Sequence, residues 1–396
     1  MSEALPERNS GSAAHDGAHV RNAPKVISEE EVHRRNVLFS SVMRSACIAM
    51  RVGDDPEYMW TPQELGAGAF GVVTLSYRHE GGGAWRRMAV KRISLRKETR
   101  LSAVIEMVRC AGREVALCRR AGASPHVVPM YKPWFDCRAG AIALPMDAGD
   151  CNLEQYAVHC GFQYPPLVLL SLCVQCARAV AHVHRCGVVH RDVKPDNFVV
   201  NAAGTVAGAD DGNSSDGDYS DARPPHVRIL DFGLACGVEE VGPELRRCVG
   251  TPHYMAPETF PHNCDCDVPA ARDVWSLGVT LFRLSTGVFP VFEVGKTWQK
   301  PPFTKLHDGR LWLPSKNLFN EPLSAESLAV LSVAVSMLVP NPWHRLNAEG
   351  ALLQLQTLQE AFSRQVQLLR PSIDCTPAPP RNSPLNEKDS DQTPCM

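Results

Sequence analysis

One stretch narrows what this chain can fold into and do more than any other: Val189-His190-Arg191-Asp192-Val193-Lys194-Pro195-Asp196-Asn197-Phe198. It reads as a short apolar strand, a polar loop and a second apolar strand. The loop carries a carboxylate at Asp192, an ammonium at Lys194 and an amide at Asn197. The carboxylate can take the proton of an attacking hydroxyl. The ammonium can neutralise a phosphate oxygen, and the amide oxygen can hold a divalent metal. Phosphoryl transfer calls for those three roles, because its transition state needs positioning and charge neutralisation more than covalent help.

The stretch resembles the catalytic loop of the eukaryotic protein kinases, which reads H-R-D-x-K-x-x-N in the serine/threonine branch. Other motifs follow in the family's order. Gly66-Ala67-Gly68-Ala69-Phe70-Gly71 is weak evidence by itself. A dinucleotide-binding fold would follow it with a helix. Val72 to Tyr77 instead alternates and is β-branched, so a strand follows. The glycines then form a hairpin turn over a nucleotide's phosphates, where missing side chains let backbone N–H groups approach. The resemblance puts Leu65 and Val73 on the adenine face.

After a turn from His79 to Ala84, Trp85 to Ile93 reads as the next strand. Its Ala89-Val90-Lys91 resembles the family's V-A-I-K strand. That implies that Lys91 holds the α- and β-phosphates and that Ala89 leaves room for the adenine ring. A helical pattern covers Glu98 to Arg120. Glu114 within it is expected to pair with Lys91, with Glu106 as the other candidate, and Cys118 one turn on belongs to the family's apolar spine. Ala141 to Leu144 reads as a strand entering the hinge at Pro145-Met146-Asp147. By resemblance Leu144 stands at the back of the adenine pocket. Backbone groups around Met146 bond the adenine edge, with one donor missing at Pro145. Leu167 to Cys186 is apolar at helical spacing, and its His184 is read as structural.

After the loop, Phe198-Val199-Val200 closes the strand, with Val199 as the floor under the adenine. Asn201 to His226 is rich in Gly, Asp, Ser, Ala and Pro where the family has a tight hairpin. It reads as an insertion of about 20 residues, disordered and acidic. Its alternating Asp and Gly resembles a calcium loop, but it lacks Glu at the twelfth position and flanking helices. Ser214, Ser215, Tyr219 and Ser220 are candidate phosphorylation sites. Val227 to Leu230 then leads into Asp231-Phe232-Gly233. The resemblance makes Asp231 the chelator of the metal that bridges the phosphates, and joins Phe232 to His190 in the spine.

Between Gly233 and Thr251 there is no Ser, Thr or Tyr. The family's common switch is phosphorylation of this segment and pairing with the arginine matching Arg191; it has no acceptor here. Either Glu239, Glu240 or Glu244 orders the segment near Arg191, or activity depends on a partner. Thr251 precedes Met255-Ala256-Pro257-Glu258 and resembles the serine/threonine branch, where this hydroxyl contacts the catalytic Asp and Lys. Lys194 points the same way, since tyrosine kinases replace it. Asp273-Val274-Trp275-Ser276-Leu277-Gly278 opens an apolar helix, with Asp273 expected to bond the catalytic-loop backbone. Pro340 to Arg345 resembles a late family signature in which Arg345 pairs, buried, with Glu258. An amphipathic helix from Asn347 to Arg370 closes the domain.

Bulk properties bound the alternatives. A chain of 396 residues has room for a two-lobed catalytic domain with tails, and its formal net charge of −2 argues against nucleic-acid binding or a polybasic membrane anchor. No apolar run has the length of a spanning helix. The N-terminus lacks a signal peptide's apolar core, Ser2 does not fit N-myristoylation, and Cys395 is too near the end for prenylation. The 15 cysteines are scattered through apolar segments and are read as reduced, small apolar residues. Cys173-x-x-Cys176 lies in a helical pattern and Cys264-x-Cys266 lacks a matching pair, so neither is read as a zinc site.

The expected organisation follows. Residues 1–54 are an extension, disordered and then helical from Ser28 to Met50, either docked on the catalytic domain or without a role. Residues 55–365 are an α+β bilobal protein kinase fold, a small β-rich lobe and a larger helical one, with the insertion at 201–226. Residues 366–396 are a mostly disordered tail. The resemblance implies transfer of the ATP γ-phosphoryl group, with Mg²⁺, to Ser or Thr hydroxyls of protein substrates. It would act inside the cell, in cytoplasm or nucleus, with no membrane partner and a regulatory partner left open. The alternative is a pseudokinase, a binding scaffold without turnover. That class normally shows a broken lysine or aspartate, whereas Lys91, Asp192, Asn197 and Asp231 are all intact. Asp150 and Asp196 stand where some members of the family read basic residues ahead of the target hydroxyl.

Overall fold

The computed structural model describes residues 51–52, 58–68, 71–95, 100–122, 124–136, 139–201, 224–240, 247–260 and 268–369. The helix expected from Ser28 to Met50, the Ala69-Phe70 pair, most of the acidic insertion, Glu244 and the C-terminal tail lie outside them. The chain divides into two compact units. One runs to Asp150 and adds Cys186–His190 and Leu230–Glu240; the other holds Cys151–Arg185, Arg191–Ile229 and the chain from Val241.

In the first unit, alternating apolar and polar residues build a six-stranded sheet. Its strands are β1 (Arg51–Val52), β2 (Tyr58–Gly68), β3 (Gly71–His79), β4 (Trp85–Ser94), β5 (Trp134–Asp136) and β6 (Ala141–Asp147), in the order β1-β5-β6-β4-β3-β2. Helix α1 (Leu101–Ala121) lies on one face. Val104, Met107, Val108, Ala111 and Val115 recur on that helix at the spacing of a single stripe. They meet Ile93, Leu95, Phe135, Ile142 and Leu144 of the sheet. Each such side chain taken from water contributes roughly 1.5–3 kcal/mol. On the opposite face Val90 clusters with Trp134, Ala143 and Tyr58.

The strand entering the hinge runs past Leu144 to Asp147. Proline is tolerated within it because β5 pairs only with Ala141–Ala143, so on that side of Pro145 no strand waits for an N–H, while on the other side Pro145 keeps its register with Val90 of β4. Its carbonyl accepts a hydrogen bond from the Tyr131 N–H at 2.9 Å.

Gly71 closes the glycine hairpin with φ of +146°, and a Cβ there would lie 2.4 Å from the Arg92 carbonyl oxygen. That contact is with backbone in the middle of a sheet and has no easy relief. Gly71→Ala is expected to lower stability by about 1–3 kcal/mol, read as a lower midpoint in thermal unfolding; an unchanged midpoint would refute the strain.

The second unit begins with β7 (Cys151–Asn152) and α2 (Leu153–His159), whose start is fixed by a capping box between Asn152 and Gln155. α3 (Val168–Arg185) follows. β8 (Val188–Val189) belongs to the first unit and pairs with β11 (Cys236–Gly237). In the second unit β9 (Phe198–Asn201) pairs with β10 (His226–Ile229), starting at Asn201↔His226, so both ends of the acidic insertion are held in register. Gln175 of α3 fastens that end: it donates to the Pro225 carbonyl at 3.0 Å and accepts from the Val227 N–H at 2.9 Å.

α4 (Pro269–Thr286) is buried on nearly every face, the pattern of a central core helix. Its Trp275 stacks on Phe292 and meets Phe303 edge-on. Phe292 begins a three-stranded sheet of β12 (Phe292–Val294), β13 (Thr297–Gln299) and β14 (Arg310–Leu311), which the sequence reading did not anticipate. Strands this short leave too little alternation to read. α5 (Ala325–Met337) and α6 (Ala348–Leu369) complete the unit. Among the described residues no helix is long and apolar enough to cross a membrane, and no three or more His, Cys, Asp or Glu side chains gather as a metal site. Cys173 and Cys176 are buried in α3, with their thiol pKa values pushed up by burial, which fits packing.

Candidate active site

The first unit places Lys91 on the α1 side of β4. Its Nζ donates to Glu114 Oε1 at 2.8 Å, to Glu114 Oε2 at 3.0 Å and to Asp231 Oδ1 at 2.8 Å. Glu106, the other candidate, is exposed, with Arg109 4.0 Å away; helix periodicity turns Glu114 inward and Glu106 out. Burial by itself would lower the Lys91 ammonium, but Glu114 and Asp231 outweigh it and hold its pKa above the ordinary value. Burial pushes the Glu114 carboxyl up against the pull of Lys91. Burial opposes the Asp231 carboxylate too, but there Lys91 wins and the pKa is held low. Two carboxylates thus share one ammonium, an excess of negative charge that suits a divalent cation at the less buried Asp231.

Asp231 has φ of +66°, as does Arg191 in the second unit. Left-handed backbone at such residues costs about 1–3 kcal/mol and is characteristic of functional loops. His190 Nε2 lies 3.0 Å from the Leu230 carbonyl, and its ring meets Phe232 edge-on at 5.2 Å. Gly66, Ala67 and Gly68 are exposed, and nothing lies within 4 Å of a Cβ built on either glycine. Leu65 is exposed, Val73 half-buried, and Ala89 buried on the Lys91 face. Leu144 is fully buried in the helix–sheet core with Val108 and Ile142. Met146, two residues on and so on the same face, is nearly as buried. Cys118 is buried, and burial pushes its thiol up to about 12.

The second unit gathers the loop residues around Asp192. Its Oδ1 accepts from the Thr251 N–H at 2.8 Å and the Thr251 hydroxyl at 2.7 Å. Its Oδ2 accepts from Asn197 Nδ2 at 2.9 Å and lies 2.9 Å from Lys194 Nζ. Lys194 also donates to Thr251 Oγ1 at 2.6 Å, so the hydroxyl accepts from the lysine while donating to the aspartate. Asn197 gives a second bond to the Asp192 carbonyl; with Nδ2 so engaged, its side-chain oxygen is the atom left for a ligand. Asp273 accepts from the Arg191 N–H at 2.7 Å and lies 2.9 Å from His184 Nε2, which supports the structural reading of that histidine. Val199 is half-buried, between the buried Phe198 and Val200. Asp150 is paired with Arg87, whereas Asp196 is exposed.

Sequence reasoning missed Arg113 and Arg120 of α1. They pair with Glu240 and Glu239, the residues expected to order their segment near Arg191. A basic pair two helical turns apart and an acidic pair after Gly233 were visible in the sequence; their pairing was not.

The protein kinase domain family model matches residues 60–355. Calcium-dependent protein kinase 20 of Oryza sativa subsp. japonica is 29% identical over 294 residues, 73% of this chain and 45% of that protein. Calcium-dependent protein kinase 29 of Arabidopsis thaliana is 30% identical over 290 residues, 73% and 47%. Serine/threonine-protein kinase PAK 5 of Rattus norvegicus is 25% identical over 303 residues, 76% and 35%. The chain spans about half the length of the calcium-dependent relatives.

Proposed function

We propose that this chain, which belongs to the eukaryotic protein kinase superfamily and to its serine/threonine branch, transfers the γ-phosphoryl group of ATP to Ser or Thr hydroxyls of protein substrates. The group around Asp192 carries this reading. A carboxylate oriented by Thr251, Asn197 and Lys194 is prepared to accept a proton from an incoming hydroxyl. Lys194 offers charge to the transferring phosphate. Lys91, kept protonated by Glu114 and Asp231, is the proposed holder of the α- and β-phosphates. The exposed Gly66 and Gly68 leave backbone N–H groups open to close approach by phosphate.

Each unit offers a donor of the kind a hard divalent cation takes, carboxylate oxygen at Asp231 in the first and amide oxygen at Asn197 in the second. Mg²⁺ held by these residues would neutralise charge on the phosphates. The intact Lys91, Asp192, Asn197 and Asp231 favour turnover over a binding scaffold.

The test uses the full chain made in bacteria and free of phosphate. It is incubated with γ-labelled ATP, Mg²⁺ and a generic basic protein. Label is expected on serine and threonine, and Lys91→Met is expected to lower kcat by roughly 10²–10³-fold, the cost of removing a fixed charge from a developing anion. Binding of Mg-ATP without any transfer would overturn the reading in favour of a scaffold.

A further inference from the structure

We propose that Arg113 and Arg120 are positioning residues. Through Glu240 and Glu239 they fasten the segment after Asp231-Phe232-Gly233 to the helix that carries Glu114. The group of Lys91, Glu114 and Asp231 then assembles without covalent modification of that segment. The inference rests on the reading of Lys91 and Asp231 as the residues that hold ATP and its metal.

Three observations converge. Arg113 and Arg120 are seven residues apart on α1, two turns, and so share a face. Arg113 is the immediate neighbour of Glu114. Arg113 Nη2 donates to Glu240 Oε2, and the other oxygen of that carboxylate accepts from the Gly237 N–H at 2.8 Å. Arg120 Nη1 donates to Glu239, while its Nε donates to the Cys186 carbonyl at 2.8 Å.

The turn from Gly237 to Glu240 is also tied by backbone. The Val238 N–H donates to the Gly187 carbonyl at 3.0 Å, and Cys236–Gly237 pairs with Val188–Val189. One short turn is therefore bonded to α1 at two points and to β8 along its edge. Asp231 lies a few residues upstream in the same segment. Finally, no residue between Gly233 and Thr251 bears a hydroxyl, so the negative charge on this turn is carried permanently by glutamates.

Both pairs are partly exposed, with side chains 30–60% accessible. Such pairs add little to global stability. Neutralising them should leave the fold intact while loosening the segment that carries Asp231. A modest coupling between sites is worth about 5–150-fold in an equilibrium. The double variant Glu239→Gln/Glu240→Gln is therefore expected to lose roughly tenfold in kcat/KM for Mg-ATP and to exchange amide hydrogens faster over residues 231–240. The charge swap Arg113→Glu/Glu240→Arg restores the ion pair but not the bond to the Gly237 N–H, and is expected to recover part of both readouts relative to Arg113→Glu alone. A structural role unrelated to the ion pair would not be rescued by reversing it.

Wild-type exchange and wild-type kinetics in the double variant would overturn the proposal, as would a swap no better protected than Arg113→Glu alone. If the wild-type chain transfers no phosphate, the kinase reading fails, and the exchange comparison still decides the clamp by itself.

Discussion

Asp192→Asn is expected to lower kcat for phosphate transfer by about 10²–10⁴-fold, the range for removing a general base. KM for ATP should change far less, because the substitution removes neither Lys91 nor Asp231. The geometry makes the expectation specific. Asp192 Oδ1 takes two bonds from Thr251, and Oδ2 faces both Asn197 Nδ2 and Lys194 Nζ. Thr251, Asn197 and Lys194 all present donors, so the carboxylate serves as acceptor on both oxygens. An asparagine has one acceptor and one NH₂ group. In either orientation its NH₂ meets donors that carry hydrogens of their own. The variant therefore loses the base and also loosens the loop. Steady-state kinetics beside a thermal melt separate the two effects. A loss of less than tenfold in a variant that melts like wild type would remove Asp192 from the role of base.

What was legible in the sequence was chemistry at short range. Lys194 and Asn197 stand within five residues of Asp192, and a loop of that length can only bring them together. Glu114 could be preferred to Glu106 because a helix has one inward face, and the structure turns Glu114 onto Lys91 across the sheet. The burial of Glu258 with Arg345 was legible by resemblance alone, since nothing local links them.

Two kinds of fact were not legible. Pairings between distant exposed charges, such as Arg113 with Glu240, have no periodic signature, because a salt bridge depends on where two elements are laid down. Backbone conformation at single residues is equally silent: nothing in the identities of Arg191 and Asp231 announces a φ of +66°, since arginine ordinarily avoids it and even aspartate, which tolerates it better, adopts it at a minority of positions. The extent of the strand that carries Leu144 was hidden for a related reason. The strand was taken to end where proline begins, yet β5 has stopped pairing before Pro145 and the strand continues through it against β4.

Arg345→Ala is expected to be the most destabilising single change in the second unit, by about 3–5 kcal/mol. The guanidinium holds Glu258 through both of its arms, at 2.6 and 3.0 Å. It also donates to the carbonyls of Ala271, Val339 and Pro340 and lies 5.1 Å over the Trp275 ring. The arginine side chain is fully buried and that of Glu258 nearly so. Truncation would strand a buried carboxylate and the Ala271 carbonyl without a donor and release the half-buried Val339 and Pro340 carbonyls, which costs more than the net worth of the pair itself. Removing both charges should cost less than removing one. Glu258→Gln/Arg345→Met is therefore expected to melt above Arg345→Ala, with the ammonium of Arg345→Lys falling between because it cannot span both carboxylate oxygens. Activity per folded molecule, measured well below the melt, should stay near wild type in all three, since Arg345 spends its donors on Glu258 and on the carbonyls of Ala271, Val339 and Pro340. A double variant less stable than Arg345→Ala would show that the burial of charge is not what this arginine resolves, and a selective fall in kcat would move it from the scaffold to the chemistry.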